Sequence, residues 1–248
     1  MLDRATSTDL TLDERLSWID RARAVLAKYG APVAALTYID VQRSQWQAAY
    51  RLDYRKHRAY LRTLLEQPDI AADHTVADTL RLLIAQAQYG LRPPADAESL
   101  LTSVALDPAL SEHDPLRTGA WLRLATLQSE GGNLAAARAS YAQSGLSAQE
   151  CSLVDATPVA RRTLGDTLDF PQEALYWGFE GWVLAEFDIK ADGTTTDQRV
   201  VVSYPPLIFT EPTVDGLKHV RYTQTYRPEG GLGCGGNQYK VIFGIPRS

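Results

Sequence analysis

The stretch EGWVLAEFDIKADGTTTDQRVVVSYPP constrains the fold more than any other part of this 248-residue chain. Val183, Ala185, Phe187 and Ile189 alternate with more polar neighbours, the period of a strand that lays one face on a core. Asp192-Gly193 interrupts the alternation, and a second strand follows through Val200 and Val202. An Asp-Gly pair between such runs predicts a β-hairpin, because the turn needs a residue that accepts positive φ.

The flanks supply the rest of a domain over 169–248. In DFPQEALYWGFEGWV the pattern predicts a short helix with Pro171 in its first turn, where a missing N–H is harmless. In PPLIFTEPTVDGLKHV a second helix shows Phe209, Thr213, Leu217 and Val220 on one face, with Thr210 as N-cap and Glu211 and Pro212 in the first turn. The last strand, QYKVIFG, points Tyr239, Val241 and Phe243 inward as core. The order helix, strand, strand, helix, strand predicts a three-stranded antiparallel sheet with two helices on one face.

Residues 1–146 have a different texture and read as an antiparallel α-helical domain, so the fold class of the chain is α+β. Leu12, Leu16, Ile19 and Leu26 keep helical spacing until Gly30-Ala31-Pro32. A long helical stretch with one interruption follows over 34–67, then helices within 69–90 and 95–106. In AWLRLATLQSEGGNLAAARASYAQSGL, Trp121, Leu124 and Ala125 mark one helix, and Leu134, Ala137 and Tyr141 the next. That pair resembles a tetratricopeptide repeat, with an earlier, looser echo through Leu80, Leu83, Ala87, Ala97 and Leu101. A generic array of helical hairpins fits equally well. Residues 147–168 mix Ser, Thr, Asp, Pro and Gly without periodicity and read as a linker.

Charge and chemistry narrow the function. A net charge of −5 gives no general attraction to nucleic acid or anionic membrane. The basic run RLDYRKHRAYLR reads as a solvated helix face. No stretch approaches the roughly 20 apolar residues of a membrane span, and MLDRATSTDLTLDERL lacks the apolar centre of a signal peptide. The chain is then either cytoplasmic or a mature or trimmed form. His57, His74, His113 and His219 are scattered, and no HExxH, GxSxG or phosphate-cradling glycine loop occurs. Neither catalysis nor a metal or cofactor site is expected. Cys151 and Cys234 are either two unrelated small residues or, in an oxidising compartment, one disulfide.

The C-terminal string resembles the C-terminal domain of the TonB family over about 169–245. The resemblance is carried by Phe170-Pro171-x-x-Ala174, Gly178-x-x-Gly181-x-Val183, Phe187, Asp192-Gly193, Asp197, Val200, Ser203, Pro206, Phe209 and the exit Tyr226-Arg227-Pro228. It implies a periplasmic domain of a Gram-negative envelope protein. In that family the domain grips a short extended peptide, the TonB box of an outer-membrane transporter, added as a strand to the sheet edge. By analogy the docking edge is Gln238, Tyr239, Lys240, Val241, Ile242 and Phe243, with Asp169, Phe170 and Pro171 beside it. The implied partner is an envelope protein or TonB-box-like peptide, with a homodimer paired through edge strands as the alternative.

The family's energy transducers also carry an N-terminal membrane helix and a proline-rich spacer. Here the 13 prolines are scattered. The exit RYTQTYRPEGGLGCGGNQ is longer than the family's, and 230–237 reads as a glycine-rich loop leading into the edge strand. Three roles remain: an envelope interaction protein, an energy transducer whose anchor lies outside this chain, and a helical scaffold with a purely structural TonB-like domain.

Overall fold

The computed structural model describes residues 10–51, 53–86, 92–146, 158–166, 168–228 and 232–245. Its contacts divide the chain into two compact units, 1–111 and 112–248. The expected boundary near 146 therefore falls inside the second unit.

The first unit is helical: α1 Leu12–Lys28, α2 Val33–Arg51, α3 Tyr54–Leu65, α4 Pro68–Ala72, α5 His74–Ala85 and α6 Ala97–Ala105. Thr11 and Glu14 start α1 with a capping box, each side chain accepting the other's backbone N–H. Asp53 and Asp73 cap α3 and α5. The core joins Val41, Leu61, Leu64, Ile70, Val76, Leu80 and Ile84, and Ile19 meets Ile39 under Trp18 and Trp46.

The basic run is more than a solvated face. Arg58 donates to the carbonyls of Gln86 and Arg92, and Arg62 grips Asp96 with both terminal nitrogens at 2.8 and 2.9 Å. These arginines tie α3 to the segment that leads into α6. At the start of α5, His74 Nδ1 lies 2.7 Å from Asp107 Oδ2. The hydrogen bond and the charge of Asp107 raise the His74 pKa, and the same bond holds the Asp107 carboxyl below its usual range.

The second unit opens with the helical hairpin α7 Pro115–Glu130 and α8 Leu134–Ser144. Ala120, Ala125 and Ala137 are fully buried, small residues that let the two helices approach. The α/β part follows: β1 Ala160–Arg162, α9 Gln172–Trp177, β2 Gly181–Lys190, β3 Thr195–Tyr204, α10 Thr210–His219, β4 Arg221–Tyr222 and β5 Leu232–Phe243. The main sheet is antiparallel in the order β3-β2-β5, and β1 pairs with β4 in a two-stranded ribbon. Val183, Ala185, Phe187 and Ile189 are all buried, as their alternation predicts, and pack with Phe209, Leu217, Val220, Val241 and Phe243.

The hairpin turn is where expected. Gly193 has φ +82°, and its carbonyl accepts the Tyr222 N–H at 2.8 Å. A Cβ there would stand 2.2 Å from the Tyr222 carbonyl oxygen, so both the torsion and the close approach exclude a side chain.

Four expectations need correction. Part of the supposed linker belongs to this unit: β1 pairs with β4, and Leu164 is 2% exposed in the sheet's core. A three-residue strand whose partner is distant in sequence leaves no periodic trace. Phe209, not Thr210, precedes the first turn of α10; Thr210 is helical, and its hydroxyl reaches Ser203 Oγ at 3.4 Å. Tyr239 keeps 40% of its surface exposed, unlike Val241 and Phe243.

The fourth correction concerns the glycine-rich loop over 230–237. Residues from Leu232 onward are strand, with Ile189 opposite Cys234 and Phe187 opposite Asn237. Strand pairing uses only backbone groups, so low β-propensity did not prevent it. Gly236 takes φ +67° at a bulge and donates its N–H to Asp188 Oδ1 at 2.7 Å. The expected Cys151–Cys234 disulfide involves Cys151, which lies outside the described residues.

Candidate functional site: the β5 edge

β5 is an edge strand of the sheet, and β3 is the other. Their regularity differs. β3 carries two irregularities against β2, one between the partners of Leu184 and Ala185 and one between those of Glu186 and Asp188. Asp197 beside the second has φ +50°. Bulges of this kind twist an edge away from further pairing. On β5 the irregularities are confined to the glycine-rich half. From Asn237 to Phe243 every residue pairs in step with β2, from Phe187 back to Gly181.

The last four residues of the regular half, from Lys240 to Phe243, alternate in exposure. Val241 and Phe243 are buried at 5% and 2%, whereas Gln238, Tyr239, Lys240 and Ile242 are exposed. Phe243 stacks on Phe209 with centroids 4.3 Å apart, and Phe170 stands edge-on to both rings at 5.8 Å. Phe170 thus brings the segment with exposed Asp169 and half-buried Pro171 to the Phe243 end of β5. All nine expected docking residues lie at this edge or at its Phe243 end.

Three cross-strand rows line the open face of the sheet. They are Tyr204–Trp182–Ile242, Val202–Leu184–Lys240 and Arg199–Glu186–Gln238. Arg199 pairs with Glu186 at 2.9 Å, and the Lys240 ammonium lies 5.0 Å from the Trp182 ring centroid. On the helix-covered face, Tyr239 approaches Tyr222, whose pKa burial pushes up to about 12, with a smaller push from Tyr239. Trp182, Tyr204 and Tyr222 were not anticipated as part of the site. Trp182 was legible as an outward strand position, but its neighbours depend on register. Tyr176 and Trp177, at the end of α9, are also exposed, with centroids 5.1 Å apart.

The Tyr226-Arg227-Pro228 exit is anchored inside the unit. The Tyr226 N–H donates to Thr126 Oγ1 at 2.9 Å, and Arg227 donates to the Tyr141 hydroxyl at 2.9 Å. These bonds hold the chain between β4 and β5 against the α7–α8 hairpin.

His57 and His74 each have a side-chain partner. His57 is buried against Ser44 Oγ at 2.9 Å, and burial lowers its pKa. His74 is held by Asp107, and His219 ends α10. Among the described residues no group of three or more His, Cys, Asp or Glu could hold a metal ion. Among the same residues no helix is long and apolar enough to cross a membrane. No family model and no curated protein matches the chain.

Proposed function

We propose that this chain is a non-enzymatic interaction protein of the Gram-negative periplasm, whose TonB-like domain takes up an extended segment of an envelope partner as a fourth strand along β5. The observation that carries this reading is the contrast between the two sheet edges. The β3 edge is broken by two irregularities, whereas 237–243 keeps unbroken register and ends beside Phe170. Strand addition draws affinity from main-chain hydrogen bonds, so a straight, exposed edge is its physical requirement. The resemblance of the 169–228 string to the TonB family supports the compartment and the class of partner, an outer-membrane transporter among them.

The test is a titration of the full chain with a TonB-box-like peptide, followed through backbone amide shifts. Shifts centred on 238–243 are expected. Shifts centred on β3 or on the helices of the first unit would overturn the assignment. Dimerisation through β5 would use the same edge, so added peptide should then dissociate the dimer in sedimentation.

A further inference from the structure

We infer that the added strand is read on the open face of the sheet by Ile242 and Lys240, and that it carries an apolar side chain and a carboxylate two residues apart. The inference rests on strand addition at β5 and deepens it.

Side chains on one face of paired strands stand directly opposite one another, with Cβ atoms about 4.5–5.5 Å apart. The row Tyr204–Trp182–Ile242 runs across all three strands and ends at the β5 edge on Ile242, which is 73% exposed. A fourth strand would continue that row with one side chain. An apolar group there covers Ile242, while a polar one leaves its surface in contact with water and polar atoms.

The next row, Val202–Leu184–Lys240, ends at the same edge on a cation. Its ammonium is steadied over Trp182 at 5.0 Å, on the open face where the added strand's alternate side chains emerge. Opposite charges across strands attract and like charges repel, so a carboxylate is the fitting neighbour. Adjacent rows on one face are two residues apart along a strand, which fixes the spacing. An antiparallel partner reads apolar-x-acidic, and a parallel one acidic-x-apolar.

The probes are acetylated, amidated heptapeptides: Gln-Thr-Ile-Thr-Glu-Thr-Gln, its reversed sequence, and both again with Lys in place of Glu. Each is titrated into the full chain and into Lys240→Glu, with amide shifts along 237–243 as readout. The expected result is about five-fold tighter binding of one Glu peptide than of its Lys counterpart. That preference should shrink when NaCl is raised from about 50 to about 500 mM, and Lys240→Glu should reverse it. Lys240→Gln should bring the two affinities together. If all four peptides move the β5 amides with equal affinity, strand addition stands and the readout by Lys240 is overturned. If binding moves no β5 amide, strand addition itself fails.

Discussion

Replacing Phe243 by alanine, beside the control Ile242→Ala, probes the register of β5 on β2. Phe243 is 2% exposed and Ile242 is 73% exposed, although they are neighbours in the chain. Truncating a buried Phe costs about 3–5 kcal/mol in lost transfer energy and cavity. Phe243 also stacks on Phe209 at 4.3 Å and meets Phe170 edge-on. Such ring pairs add about 0.5–1.5 kcal/mol beyond area, so the upper part of that range, about 4–5 kcal/mol, is expected. Ile242→Ala removes exposed surface and should stay within about 0.5 kcal/mol. The difference, about 4 kcal/mol, corresponds to roughly 2 M urea at an m-value of about 2 kcal/mol/M. Urea unfolding followed through the amide resonances of Val183, Ala185 and Phe187 reports on this sheet alone. A slip of β5 by one residue would move every side chain to the opposite face. Equal costs, or a larger cost for Ile242→Ala, would refute the register and with it the rows on which Ile242 and Lys240 stand.

Two further outcomes follow from the geometry. Gly193→Ala should destabilise the hairpin by about 3 kcal/mol in the same urea assay, from a left-handed torsion and the loss of the turn's hydrogen bond to Tyr222; a neutral effect would contradict the close approach of the Tyr222 carbonyl. His74→Gln should change how the first unit's melting temperature depends on pH. Asp107, held below its ordinary 3.8, contributes stability above that value and loses it as pH falls through its lowered folded value; His74, raised above 6.5, contributes below 6.5 and loses it as pH rises through its raised folded value. The wild type should therefore be most favoured over the variant between about pH 4 and 6.5, and a pH-independent difference between the two melting curves would refute the pair.

Much of the α/β part was legible because its signals are short-range. The alternation through Val183 and Ile189 reports one buried face without reference to any other segment. The face Phe209, Thr213, Leu217 and Val220 likewise follows from helical spacing, and all four side chains are buried. Local signals failed where a strand owes its state to a distant partner. Ala160–Arg162 has no pattern of its own and is strand because Arg221–Tyr222 lies beside it. The N-cap of α10 slipped by one residue because Thr210 finds Ser203 on a neighbouring strand, not a backbone N–H of its own helix.

The candidate site divides in the same way. The sequence by itself determined that an alternating strand with Val241 and Phe243 inward would close the sheet, since side-chain period and hydrophobicity are written residue by residue. Only the tertiary structure decided that this strand begins at Leu232, that its regular half is an exposed edge while β3 is bulged, and that Lys240 sits over Trp182. Those features depend on which backbone pairs with which and in what register. Glycines such as Gly236 become strand when Asp188 offers their N–H an acceptor, a circumstance that composition cannot express.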